Sequence, residues 1–107
     1  MAEVVKIALD IIKEEIENAG YQIAKVVLFG SRAKKQARPD SDWDFYVIVD
    51  RDIDRDTKWE IILRIKRRLA RLKIPNDIII NSLSQAEQKK DNVGYIAYYA
   101  LREGITL

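Results

Sequence analysis

The chain has 107 residues, 48% of them apolar and 34% charged, with a formal net charge of +2 and neither cysteine nor histidine. That length and apolar content suit one packed core and exclude a mainly disordered chain. The missing residue types exclude disulfides, thiolate or imidazole metal ligands, and Ser–His or Cys–His catalysis, leaving hard oxygen-bound cations, Mg²⁺ or Mn²⁺ before Zn²⁺.

In chain order, Val4, Ile7, Ala8, Ile11, Ile12 and Ile16 recur at helical spacing, with Lys6, Asp10, Lys13, Glu14 and Glu17 facing away. This predicts an amphipathic helix, stopped by Gly20. Ala24 to Phe29 is a largely β-branched run bounded by Gly30 and predicts a buried strand. Ser31 to about Gln36 reads as the start of a short helix, followed by turn chemistry in ARPDS. Phe45 to Val49 predicts a second strand, closed by the charged turn at 50–52. From Asp54 or Asp56, either able to cap, a long helix is predicted toward Leu72. Its apolar face is Ile61, Ile62, Ile65, Leu69 and Leu72, with Arg64, Arg67, Arg68 and Arg71 along one flank. Pro75 breaks the chain before a third strand, Asp77 to Ile80. Ser82 or Ser84 starts a short polar helix, and Asn92 to Arg102 reads as helical despite Gly94, ended by Gly104. The predicted order is α-β-α-β-α-β-α-α, one α/β domain over 1–107 with a small sheet.

The segment from Gly30 to Asp44, GSRAKKQARPDSDWD, holds the chemistry. Residues two apart on a strand project from one face, so Asp42 and Asp44 can enter one site roughly 6–7 Å apart. Two such charges are costly together unless a cation lies between them, although two strand-opening aspartates can also simply face water. A strand ending in Phe29-Gly30-Ser31 and entering a helix directs free backbone N–H groups outward, the usual arrangement for binding an anion. Gly30 permits close approach of a phosphate, Ser31 adds a hydroxyl donor, and Arg32, Lys34, Lys35 and Arg38 add positive charge; a tight turn with a wet basic surface is the plainer alternative. Asp77 opens the third strand, either as a turn residue after Pro75 or as a third carboxylate. Together, three aspartates at strand ends opposite a phosphate turn make a two-metal phosphoryl or nucleotidyl transfer site.

At these residues the sequence resembles the minimal nucleotidyltransferases of the DNA polymerase β-like superfamily. Their signature is an apolar strand, then Gly-Ser, about ten residues, then Asp-apolar-Asp, with a third acid on a later strand. Here it reads VVLFGSRAKKQARPDSDWDFYVIV, then PNDIII, and the similarity runs from the first helix to the closing ALREGITL. The resemblance implies an α/β (α+β) fold with a small mixed sheet of three or four strands packed against helices. By position, Gly30 and Ser31 match the triphosphate-binding pair, Asp42 and Asp44 the metal pair, and Asp77 the third carboxylate, a metal ligand or the base. Lys35 departs from the family's usual Gly, and Trp43 from a smaller Ile or Leu.

The expected function is transfer of AMP from ATP, with Mg²⁺ or Mn²⁺, to a hydroxyl acceptor. A chain of this length resembles the antitoxin of a two-gene module, which implies a tyrosine of a helical HEPN ribonuclease toxin as acceptor. Alternatives are a non-catalytic antitoxin or scaffold, and a nucleotidyltransferase acting on a small molecule or RNA; homodimerisation is left open. Tyr95, Tyr98 and Tyr99 read as core packing at helical spacing or, if exposed, as interface. The arginine flank reads as a solvated face or as part of that interface. No apolar run approaches the roughly 20 residues that span a bilayer and the N-terminus lacks a signal-peptide pattern, so a cytoplasmic protein with no membrane partner is expected. A net charge of +2 gives no ground for direct nucleic-acid binding. The abundance of Lys, Arg, Glu and Ile resembles a heat-adapted composition.

Overall fold

Helix α1 (Ala2–Asn18) ends as its sequence requires. Gly20 takes φ +91°, and the amides of Gly20 and Tyr21 donate to the carbonyls of Glu17 and Ile16, a Schellman closure that only a residue tolerant of the left-handed region makes cheaply. The computed structural model describes residues 2–107. After α1 come β1 (Ile23–Phe29), β2 (Trp43–Val49), α2 (Arg55–Arg71), β3 (Asn76–Ser82), α3 (Leu83–Lys89), α4 (Ile96–Glu103) and β4 (Ile105–Thr106). The four strands form one mixed sheet in the order β3-β2-β1-β4. β1 runs antiparallel to β2 and β4, whereas β2 and β3 are parallel, joined by α2 as a crossover.

Alternation along the strands assigns the two faces. Trp43, Phe45, Val47 and Val49 of β2, with Val26, Leu28, Ile78 and Ile80, pack against Ala8, Ile11, Ile12 and Ile16 of α1 and Ile61, Ile65 and Leu69 of α2. Val27, Tyr46 and Ile48 face the other way, against Ala86 of α3 and Ala97 and Ala100 of α4. Small alanines let these short helices lie close to the sheet. Gly104 allows the same at the end of α4, since a Cβ there would overlap Val27 and the carbonyls of Ala100 and Leu28.

Two predicted helix starts are settled by caps. Asp54 accepts from the Thr57 amide at 3.0 Å, which chooses it over Asp56, and the Thr57 side chain followed by that amide holds its carboxyl below the usual range. Ser82 and Gln85 form a reciprocal capping box, choosing Ser82 over Ser84.

Elsewhere the structure corrects the sequence reading. Residues 31–35 form a turn, not the start of a helix, so β1 passes to β2 without an intervening helix. Helix α4 begins at Ile96 rather than Asn92, because the Asn92 side chain accepts from the Gly94 amide at 2.9 Å and locks a local turn. β4 pairs with β1 at Val27 and Leu28 and was not predicted, two residues being too few to leave a pattern. Ile7 and Leu72, assigned to apolar faces, are exposed. The tyrosines are not core: Tyr95 and Tyr99 are exposed and Tyr98 half-buried, because α4 meets the sheet through Ala97 and Ala100. In the arginine flank, Arg68 binds Glu14 and Glu15 of α1, both at 2.9 Å, while Arg64, Arg67 and Arg71 are exposed.

Tyr46 is fully buried and donates its hydroxyl to Asn81 Oδ1 at 2.8 Å. Burial pushes its pKa up from 10.0 to about 12. The folded chain therefore holds a proton that the unfolded chain loses, so stability is expected to fall as pH rises from 10 toward 12. Denaturant midpoints measured across that range should fall less steeply for Tyr46→Phe, which starts about 1–2 kcal/mol lower because Asn81 loses its donor.

Candidate active site

The site lies where β1 ends and where β2 and β3 begin. Antiparallel pairing sets Phe29 opposite Asp44, and parallel pairing sets Asp44 beside Asp77. By strand alternation, Asp44 and Asp77 project from the α3/α4 face, just beyond the residues those helices cover. Trp43 lies on the opposite face, buried among α1 and α2, as its alternation with Asp44 predicts.

Gly30 links the two ends of the GSRAKKQARPDSDWD segment. It has φ +74°, and a Cβ built on it would overlap Asp44 Oδ2 and come within 3.2 Å of Asp44 Cγ. Glycine is thus required both by the turn and by the carboxylate lying against its Cα. Beyond it the Lys34 amide donates to the Gly30 carbonyl at 3.3 Å and the Gln36 amide to the Ser31 carbonyl at 3.0 Å. This single turn of helical character is stopped by Lys35 in the left-handed region, φ 57°. Ser31 is half-buried at its base.

That φ explains why a glycine at position 35 suits such a loop and lysine is the strained choice. Lys35→Gly is expected to leave stability unchanged or raise it by up to about 1 kcal/mol, since relief of left-handed strain opposes glycine's added unfolded-state entropy. Thermal melts of the two proteins would show it; a clear loss would mean the lysine side chain holds the loop.

The basic residues of the loop divide by role. Arg32 donates to the carbonyls of Ser41, at 2.9 Å, and Pro39, at 3.3 Å, and its guanidinium lies 4.3 Å from the Trp43 ring centre. It clamps the loop to the start of β2 through Nη2, while its Nε is buried without a hydrogen-bond partner. Trp43, unusual beside a smaller aliphatic, supplies the surface for that clamp. Lys34 pairs with Glu103 at 2.8 Å, tying the loop to the end of α4. Lys35 and Arg38 are exposed. The Arg38 amide donates to Ser41 Oγ at 2.8 Å, closing the turn before the carboxylates.

Asp44 is half-buried, whereas Asp42 and Asp77 are exposed. Burial, then the charges of Asp77 and Asp42, raise the Asp44 carboxyl above its ordinary 3.8, with Lys66 opposing. Lys66 was missed by the sequence reading. From α2 its amine donates to the Asn76 carbonyl at 3.0 Å and lies 3.9 Å from Asp77 Oδ1. Lys58, eight residues earlier, likewise donates to the Ile80 carbonyl at 3.3 Å. Both carbonyls are on β3, the edge strand, and the only hint in sequence is that these two cations border the apolar stripe of α2.

A donor set of three carboxylates, one of them raised by burial and then by repulsion from the other two, fits a hard divalent cation by chemistry. The three side chains stand apart, however: among the described residues no group of three acidic side chains is gathered closely enough to hold an ion. Nor is any helix among them long and apolar enough to cross a membrane.

The comparisons with known proteins agree with this architecture. A search of curated proteins finds no match. Among solved structures, a mutant toxin-antitoxin MntA-HpeT superposes with a TM-score of 0.59 at 14% identity, covering 92% of this chain and 70% of the other. A toxin-antitoxin with AMP-PNP does so at 0.56 and 16% identity, covering 91% and 69%. At such identities the likeness establishes a shared fold, the polymerase β-like nucleotidyltransferase fold with its mixed four-stranded sheet. The family described as polymerase beta, nucleotidyltransferase, matches residues 10–106, nearly the whole of the sheet and its helices. On that match the chain belongs to the polymerase beta nucleotidyltransferase family.

Proposed function

We propose that the chain is a minimal nucleotidyltransferase, a single unit over residues 1–107, that moves AMP from ATP to a tyrosine hydroxyl of a helical partner toxin and thereby acts as its antitoxin. The observation that carries this reading is the contact of the Gly30 turn with Asp44, which is in register with Asp77. The Gly30 turn and these two carboxylates thus share three adjacent strand ends, which supports reading the turn as the anion-binding element.

In this reading Gly30 and Ser31 bind the β and γ phosphates through backbone N–H groups and the Ser31 hydroxyl. Turned toward one another from their present separated positions, Asp42, Asp44 and Asp77 would hold Mg²⁺ or Mn²⁺, which when bound supplies charge neutralisation at the phosphates. Asp77, exposed at the start of β3, faces the acceptor and takes its hydroxyl proton. A bond forms from the acceptor oxygen to the α phosphorus, the bond from that phosphorus to the bridging oxygen breaks, and pyrophosphate leaves on the Gly30–Ser31 side. Lys66 restrains the segment carrying Asp77 through the Asn76 carbonyl.

The toxin partner is supported by the toxin-antitoxin nature of the structural neighbours and by exposed Trp59, Tyr95 and Tyr99 on this chain. Those exposed aromatics also favour a second reading, neutralisation by contact alone. Incubation with labelled ATP, Mg²⁺ and a candidate helical partner protein separates the two. Label on a partner tyrosine is the expected result; a stable complex that never acquires label would leave the chain a binder.

A further inference from the structure

Next to the carboxylates, on the same face of the sheet, is a hollow of about 280 Å³ that the chemistry above does not use. Its floor is Ile79 and Asn81 of β3, and its rim is Lys89, Gly94, Tyr95 and the first turn of α4. Ile79 follows Asp77 by two residues, so it projects from the same face about 7 Å further along the strand. Asn81 is nearly buried, its Oδ1 accepting from Tyr46 and its Nδ2 donating to the Ile80 carbonyl. Ile79, Ile96 and Ala97 give the hollow an apolar side suited to a flat ring, with Asn81 and Lys89 as its polar members.

The rim is built rather than loose. Asn92 accepts from the Gly94 amide with its side chain and from the Tyr95 amide with its carbonyl, at 2.9 and 3.0 Å. Tyr95 occupies the N-cap of α4 without capping it, and the Lys89 amine lies 5.1 Å from its ring centre. Tyr95 and Ile96 remain 46% and 45% exposed, an aromatic and an aliphatic side chain held at the mouth of a hollow.

We propose that this hollow seats the aromatic ring of the acceptor, making Tyr95, Ile96 and Ile79 determinants of acceptor choice; this rests on the nucleotidyl-transfer reading above. Strand order supplies the direction. The leaving pyrophosphate is on β1, at Gly30–Ser31, Asp44 is on β2, and in-line displacement brings the acceptor from the opposite side, where β3 is the sheet's edge. The hollow borders that edge, so a side chain presented by another protein reaches it without crossing the chain. A phenol with its hydroxyl at Asp77 lays its ring toward Ile79. At under 300 Å³ the space suits one side chain rather than a larger ligand.

Titration of the ¹⁵N-labelled chain with N-acetyl-tyrosinamide, N-acetyl-serinamide and adenosine tests the seat without needing turnover. The tyrosine derivative is expected to shift the amides of Ile79, Gly94, Tyr95 and Ala97, the serine derivative to leave them, and Tyr95→Ala to weaken the effect about tenfold. Absent shifts, or shifts caused by adenosine alone, would overturn the proposal, the latter marking a base pocket. In turnover, Tyr95→Ala should raise KM for the tyrosine derivative about tenfold and leave KM for ATP unchanged. A chain that transfers AMP to no acceptor at all would refute the transfer reading, while the titration still decides the seat.

Discussion

Replacing Asp44 by asparagine is expected to abolish transfer and yet make the protein harder to unfold. In the proposed mechanism the substitution removes one of the charges that would hold the metal, a loss on the order of 10³-fold or more. It also removes a half-buried carboxylate that sits against Gly30 and is repelled by Asp77 and Asp42. The pH dependence follows from the direction of the shift. A carboxyl raised in the folded state binds its proton more tightly there, so wild-type stability falls as pH rises from the ordinary 3.8 through the raised value. Above that window wild type carries the whole penalty and the asparagine variant none.

In chelator at neutral pH the variant should therefore melt a few degrees higher, on the order of 2–5 °C for a domain this size, and the gap should close near pH 3.8. Mg²⁺ should reverse the order, stabilising wild type by mass action and not the variant. A variant that melts lower than wild type in chelator at neutral pH would mean that Asp44 is held by attraction, and that the site is not organised around a missing positive charge.

The second large effect is expected at Gly30. Alanine there takes on left-handed backbone strain of about 1–2 kcal/mol and places a methyl group where Asp44 Oδ2 lies. Stability should fall by about 1–3 kcal/mol, and the proposed transfer should fall much further, because both the Gly30–Ser31 turn and the Asp44 carboxylate are displaced. The two causes separate in a double-mutant cycle. In an Asp44→Ala background the overlap disappears and only the backbone strain remains, so Gly30→Ala should cost roughly 1 kcal/mol less there than in wild type. Equal costs in the two backgrounds would mean that the turn and the carboxylate are not in contact.

How much of this was legible beforehand varies by element. The long helices, the three main strands and the aspartates that open them follow from periodicities of 3.6 and 2 and from single capping residues, all of which are local. The turn at 31–35 was misread because its composition suits a helix; what stops it is the backbone at Lys35, which no side-chain pattern announces. The tyrosines of α4 repeat at helical spacing, but so do Ala97 and Ala100, and close approach to the sheet favoured the small residues over the large ones. Lys66 looked like one more charge on a basic helix until the crossover brought α2 alongside β3.

By itself, then, the sequence determined which residue types were available for chemistry: no thiol, no imidazole, and a short list of aspartates at strand ends next to a Gly-Ser turn. It also determined the family, since the order and spacing of those residues are carried along the chain. The tertiary structure alone decided which of them meet. That Gly30 touches Asp44, that Asp44 is beside Asp77, that Arg32 is spent on Trp43 and Lys66 on β3, are consequences of strand register and helix packing. Register depends on how two sheet faces are buried at once, a property of the whole core rather than of any stretch of residues.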